Sequence, residues 1–346
     1  MSKKVLVTGA AGFLGMFAVK NFLSKGYHVV GIDDLNDFTY DAKIKIDRLQ
    51  ELGIDGVSLA KSSYKKNGNF EFHLFDITDM PTMEAMILDG NFDLIVHLAS
   101  LSSTVDATLS PSVFIKANVN GFTSILEGLR CLKGKRPYLI YSSSASVYGD
   151  SKEPLVENDK NLVRPKSIYA LTKQMMEDLA SVYANLYGIK SVGLRLFNII
   201  GPMMRPNTLV YKLAKSLSLK ESFDLYDNGE NFHDFMDIDD FIRCLNLITE
   251  ADTGLFSSSE IFNIASLEKK KVSSIVQKLE SLSSEKLIRE DIKTPLGDCG
   301  NFNPTMDKFN SFFNFKIEVS FDASIEKFYK WFLEYVKTSN NFYQKL

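Results

Sequence analysis

A chain of 346 residues with a net charge of -3 is long enough for one large core and has no overall pull toward nucleic acid or an anionic membrane. At 45% hydrophobic and 24% charged residues its composition is that of a globular protein, and no run approaches the ~20 apolar residues of a membrane span. Cys131, Cys244 and Cys299 lie far apart and form no CxxC or His/Cys pair at ligand spacing. This spacing points away from a metal site or disulfide framework and toward a reducing cytoplasm.

Met1 to Lys4 is polar and shows no secretory leader pattern. Short apolar runs then alternate with helix-like runs. Strands are predicted at 4–8, 27–33, 70–75, 94–98, 138–142 and 191–196. Helical spacing occupies 13–24, 83–88, 113–132 and 169–187, and the polar stretch 41–68 reads as a helix plus a loop. Strand and helix in alternation predict an α/β fold, a doubly wound parallel sheet covered on both faces. Beyond residue 198 the pattern changes, beginning with the breaks Gly201-Pro202 and Arg205-Pro206. Helices at 209–219, 239–249, 272–282 and 323–335 and a strand at 261–264 predict a smaller α/β lobe. The expected division is therefore 1–198 and 199–346, with the lobes interleaved.

The first strand runs into Gly9-Ala-Ala-Gly12-Phe13-Leu14-Gly15 and then a helix. Gly9 permits a sharp turn, Gly12 lets backbone approach a pyrophosphate, and Gly15 lets the helix pack closely on the strand. The free N–H groups of the helix start then face the phosphates. The second strand ends in Asp33, 18 positions after Gly15, where a carboxylate accepts from ribose hydroxyls and repels a 2′-phosphate. These features predict a Rossmann-type site for NAD rather than NADP.

Tyr169 and Lys173 are four apart and share one helix face, which brings an ammonium near a phenol. A phenol is a poor base at neutral pH, and a nearby cation favours its phenolate. Ser144 follows the fifth strand of the predicted sheet, at the end where open α/β sheets place ligands. The set fits oxidation of a secondary alcohol: Tyr169 takes the proton, Ser144 steadies the developing carbonyl, and Lys173 supports Tyr169 and holds the nicotinamide ribose. Tyr141 and Tyr148 read as packing residues.

The spacing Gly9, Gly12, Gly15 after Thr8 resembles the extended branch of the short-chain dehydrogenase/reductase superfamily. That resemblance implies cofactor contacts at Asp76 and Ile77, at Leu98, Ala99 and Ser100, and at Asn118. The segments Gly31–Phe38, Leu194–Asn198, Gly201–Pro206 and Asp234–Asp240 extend the likeness to nucleotide-sugar 4-epimerases, particularly UDP-glucuronate 4-epimerases. Such enzymes hold NAD, oxidise the sugar at C4, and return the hydride to the other face of the 4-keto sugar. The resemblance also implies a homodimer built on helices 113–132 and 169–187, and a role in making surface polysaccharide.

Related 4,6-dehydratases carry an Asp-Glu pair before the Val-Tyr-Gly, whereas this chain has Ala145-Ser146. With no acid there to drive elimination, simple C4 redox is the better fit. By the same likeness Asn198 and Arg205 contact the substrate. His233 replaces an arginine that clamps the diphosphate, and Val105 or a neighbour replaces a second arginine. A net 4-dehydrogenase or reductase using the same residues is the alternative, and a non-catalytic NAD sensor is a third reading.

Overall fold

The computed structural model describes residues 2–57, 63–151, 153–158, 164–256, 258–293 and 303–338. Cys299 lies outside the described residues, and Cys131 and Cys244 are free thiols.

The central sheet forms from runs apolar on both faces. In strand β1 (Lys4–Thr8), Val5 and Val7 point into one buried cluster and Leu6 into another. The same two-residue alternation divides Tyr138 and Ile140 from Leu139 and Tyr141 in β6 (Tyr138–Ser144). A strand with apolar side chains on both sides needs a helical layer over each face, and short parallel strands joined by helices supply this.

The other strands are β2 (His28–Asp33), β3 (Tyr64–Asn67), β4 (Phe70–Leu74), β5 (Leu94–His97), β7 (Ser191–Leu196), β8 (Asn198–Ile200), β9 (Phe223–Tyr226), β10 (Phe232–Asp237), β11 (Ser259–Ile264), β12 (Lys269–Lys271) and β13 (Arg289–Ile292). The main sheet runs β11-β7-β6-β5-β1-β2-β4-β3. All its pairs are parallel except the β3–β4 hairpin. Helices α1 (Phe13–Ser24) and α2 (Lys43–Glu51) lie toward one face, and α3 (Met80–Gly90), α4 (Gly121–Cys131) and α5 (Ile168–Tyr187) pack on the other. The strand order reverses at β1, between β2 and β5, which opens a crevice at the carboxyl ends of those strands.

Two features differ from the sequence reading. The polar stretch 41–68 contains α2 and ends in β3, an edge strand of sequence Tyr-Lys-Lys-Asn whose lysines discourage further pairing. The strand at 259–264 does not belong to a separate lobe: β11 pairs with β7 and forms the far edge of the main sheet. The chain after 198 builds a small β12-β10-β8 sheet and a β13–β9 pair. Helices α6 (Leu209–Leu219) and α7 (Ile238–Glu250) follow, then α8 (Val272–Ser283), α9 (Asp307–Phe313) and α10 (Phe321–Thr338). One apolar cluster joins Val5, Phe241 and Phe332, so packing is continuous across the expected division at 198.

Candidate active site

The glycine turn lies in the crevice. Gly9 has φ +72° and accepts from the Gly12 N–H at 2.8 Å. A Cβ on Gly9 would lie 2.7 Å from the Ala99 nitrogen, on Gly12 2.9 Å from the Gly9 oxygen, and on Gly15 1.9 Å from that same oxygen. Gly12 caps α1 and offers no side-chain acceptor, so the first N–H groups of the helix stay available to an anion.

Asp33, at the end of β2, is buried and fixed. Its Oδ2 accepts from the Ala11 N–H at 3.1 Å and its Oδ1 from the Leu35 N–H at 2.9 Å. Lys45 Nζ of α2 stands 3.9 Å from Oδ1 and donates to the Asn36 carbonyl at 2.7 Å. Asp76, Ile77, Leu98, Ala99 and Ser100 line the same cleft, as do Phe13 and Leu14.

At the other end of the cleft, β6 closes in the run Ser142–Ser144. Ser144 Oγ accepts from the Ser146 N–H at 3.2 Å and lies 2.9 Å from Ser146 Oγ. Helix α5 begins beside it, capped by Ser167, whose hydroxyl accepts from the Ala170 N–H. Lys173, one turn beyond Tyr169, is buried, with Nζ 6.0 Å from the Tyr169 ring centre. Burial pulls the Lys173 ammonium down to about 7; the charge of Arg205 adds to this and that of Glu177 opposes it.

Beneath these residues, Glu177 takes two hydrogen bonds from Arg195, at 3.0 and 2.8 Å, and one from Ser143 at 2.5 Å. Arg195 lies over the Tyr148 ring at 4.7 Å, and Tyr148 donates to Asn263 Oδ1 at 2.7 Å. Tyr141 packs on Phe122 with ring centres 4.9 Å apart. Both tyrosines are therefore parts of the packed interior.

The remaining predicted residues divide. Asn198, Arg205 and His233 line the cleft. Asn198 Nδ2 donates to the Asp234 carbonyl at 3.0 Å, and Arg205 Nη1 donates to Ser102 Oγ at 2.5 Å and to its carbonyl at 3.2 Å. His233 lies beside Phe235, ring centres 6.1 Å apart. Asn118 does not line the cleft. It is fully buried, pairs with both backbone groups of Leu101 at 2.8 and 3.0 Å, and donates to Thr172 at 2.9 Å. Its amide is spent on holding the loop after β5 against α5. Val105 also stands apart, 56% exposed, while its neighbours Leu101, Ser102 and Thr104 join Ala99 and Ser100 in lining the cleft.

Sequence reasoning missed Lys45, Arg48 and the Glu177–Arg195 pair. Lys45 and Arg48 sit in the polar stretch 41–68, where three-residue spacing on a helix could have signalled a common face. Glu177 follows Lys173 by four, which extends the Tyr169–Lys173 face by one more turn.

A dinucleotide fits these residues, because side chains at Gly9, Gly12 and Gly15 would fill the cradle and the Asp33 carboxylate stands beside it, held by the Ala11 N–H. A doubly wound sheet carrying this cradle and a Tyr-x-x-x-Lys helix defines an extended short-chain dehydrogenase/reductase. The sequence matches the NAD dependent epimerase/dehydratase family over residues 5–265, and the chain belongs to that family.

Among curated proteins it is 27% identical to Protein CapI of Staphylococcus aureus, over 96% of this chain and 99% of that one. It is 28% identical to the UDP-glucuronate 4-epimerase of Thermodesulfobacterium geofontis, over 96% and 97% of the two chains. Among solved structures it superposes on the UDP-glucuronic acid 4-epimerase of Bacillus cereus, in complex with UDP-glucuronic acid and NAD. That pair has a TM-score of 0.84 and 26% identity, covering 96% of this chain and 99% of that one.

Proposed function

We propose that this protein is an NAD-dependent nucleotide-sugar 4-epimerase acting on UDP-glucuronate or a close relative through a transient 4-keto sugar. One observation carries the choice of reaction. Among the described residues the acids lining the cleft are Asp33, Asp34 and Asp76 at its adenosine end, and the polar side chains of the lining around Ser144 and Tyr169 include no carboxylate. Loss of water from the sugar needs a proton shuttle at its C5–C6 side, and C4 redox needs only a base and an oxygen donor.

When bound, NAD supplies a hydride acceptor and donor. Tyr169 removes the proton of the C4 hydroxyl as the C4–H bond breaks. Ser144 donates a hydrogen bond to the oxygen as it becomes a carbonyl, while Ser146 holds Ser144 in place. Lys173, fastened to Ser142, stands behind Tyr169. After the 4-keto sugar turns over, Tyr169 returns the proton to the C4 oxygen as hydride is restored to the opposite face of C4.

Arg205 and Asn198 serve the diphosphate or the sugar carboxylate. His233 is a weaker, pH-dependent substitute for an arginine, which favours a substrate whose diphosphate is held by fewer cations. The residues after 198 supply this substrate side, and those before it the cofactor side. Exposed Leu171, Val182 and Leu186 on α5 fit a helix-paired homodimer. The two free cysteines fit a reducing cytoplasm. A sugar activated as a nucleoside diphosphate is a glycosyl donor, so the product is suited to surface-polysaccharide synthesis.

The test uses a UDP-sugar deuterated at C4. The inverted product keeps its deuterium at C4 if the hydrogen shuttles through the cofactor. Loss of the label to water during inversion contradicts the mechanism.

A further inference from the structure

Arg48 lies in the middle of α2, fully buried, and no carboxylate stands within ion-pair distance of it among the described residues. A buried guanidinium is costly unless its donors are satisfied. Here backbone carbonyls and one phenol satisfy them. Nε and Nη2 both donate to the Met203 carbonyl, at 3.0 and 2.7 Å. Nη1 donates to the Ala11 carbonyl at 3.1 Å and to the Tyr40 hydroxyl at 3.3 Å.

The two carbonyls belong to two different segments that line the cleft, the glycine turn and the loop 201–206. Ala11 is in the glycine turn, and its N–H is held by Asp33. Met203 lies in the loop 201–206 that carries Arg205, and it has φ +61°, a left-handed conformation that a residue with a side chain keeps only when its surroundings impose it. Two residues on, Arg205 donates to Ser102 in the loop after β5. The chain of contacts Asp33–Ala11–Arg48–Met203, continued through the backbone to Arg205 and Ser102, thus links the glycine turn, the 201–206 loop and the loop after β5, all three of which line the cleft.

We propose that Arg48 is a positioning residue that ties the Arg205 loop to the cofactor turn, so that nucleotide-sugar affinity depends on how that turn is seated. The proposal rests on the epimerase reading for its substrate and on the contacts above for its geometry. Arg48 touches neither the reacting carbon nor, by these contacts, the sugar. It acts by fixing the backbone of Met203 and hence the direction of Arg205.

Two measurements test it. In the purified NAD-loaded enzyme, Arg48→Met removes every donor and Arg48→Lys keeps one cationic head. Arg48→Met is expected to raise KM for UDP-glucuronate about tenfold, with a smaller fall in kcat and less NAD retained on gel filtration; Arg48→Lys recovers part of both. A merely structural residue would lower the melting temperature and the active fraction and leave KM alone. KM and NAD retention within about twofold of wild type in a folded Arg48→Met protein overturn the proposal.

The second measurement needs no variant and no turnover. Backbone amides of 201–206 in the wild-type protein should exchange with deuterated water more slowly once NAD is added to stripped enzyme. Identical exchange with and without NAD overturns the coupling even if the sugar proves to be a different one, whereas failure of every sugar to invert contradicts the epimerase reading alone.

Discussion

Lys173 donates from Nζ to the Ser142 carbonyl at 2.8 Å, with Ser142 Oγ at 3.3 Å, which fastens α5 to the end of β6. The contact fixes two things together. It aims the ammonium at the Tyr169 side of the helix, and it sets the strand end from which Ser144 emerges. One turn further along the helix, the Ser143–Glu177 hydrogen bond ties the same two elements a second time.

Tyr169→Phe removes the proton acceptor while leaving the ring that packs in the cleft. Turnover should fall by at least about a hundredfold, with NAD still bound, as read by the cofactor released on heating. Lys173→Met should also lose turnover, because the cation beside Tyr169 and its tie to Ser142 are both removed. Retained turnover in Tyr169→Phe would remove the phenol from the mechanism.

Gly15→Ala should damage the cradle rather than the chemistry. Its Cβ would sit 1.9 Å from the Gly9 oxygen, a contact that only backbone movement relieves. Purified variant should carry little NAD and melt lower than wild type. An NAD content equal to wild type would show that the turn has slack the geometry denies it.

Asp33→Ala removes an acceptor from the ribose end and also frees the Ala11 and Leu35 N–H groups it holds. NAD affinity should fall about tenfold or more, and the preference for NAD over NADP should shrink, because the repelling charge is gone. Titration calorimetry with both dinucleotides checks this.

His97 gives the pH dependence. It is fully buried at the end of β5, shares a 2.7 Å hydrogen bond with Thr8 Oγ1, and stacks on Phe122. Burial, with a smaller effect from the Lys173 charge, lowers its pKa from 6.5 to about 3. The fold therefore prefers neutral imidazole. Below pH 6.5 the unfolded chain takes up a proton that the folded chain refuses, so stability falls as pH drops from 6.5 toward about 3. The slope from this one group is up to about 1.4 kcal/mol per pH unit. His97→Asn keeps a polar atom for Thr8 and should flatten the denaturant-midpoint curve across that window.

The sequence is legible where physics is local. Val5–Val7 and Leu139–Tyr141 read as strands because both faces are apolar, and the glycine turn reads because strand, turn and helix follow in order. The edges are not local. β11 is an apolar run bounded by turns whichever sheet it joins, and only its pairing with β7, some 68 residues earlier, places it. The hairpin β3–β4 did leave a signal, Gly68-Asn69 between two short runs, in a stretch whose polarity hid it.

The site divides the same way. Tyr169 and Lys173 share a helix face fixed by their spacing. Arg48 is the eighth residue of the polar stretch 41–68, and nothing in its neighbours says that it is buried between two carbonyls from distant loops. Asn118 shows the opposite error: a polar residue at the expected place turns its amide to Leu101 and Thr172, because the loop after β5 needs those donors and acceptors more. Val105 faces away for a simpler reason, since short helix 104–109 presents Thr104 to the cleft and turns the next residue outward.

The central claim is most directly tested by incubating the purified protein with UDP-glucuronate and a panel of other UDP-, GDP- and CDP-sugars, following C4 configuration by proton NMR and the redox state of added NAD by absorbance. The account predicts a C4-inverted sugar at equilibrium with its substrate, while added NAD stays oxidised. Stoichiometric reduction of added NAD with no inverted sugar would contradict it and make the protein a net dehydrogenase.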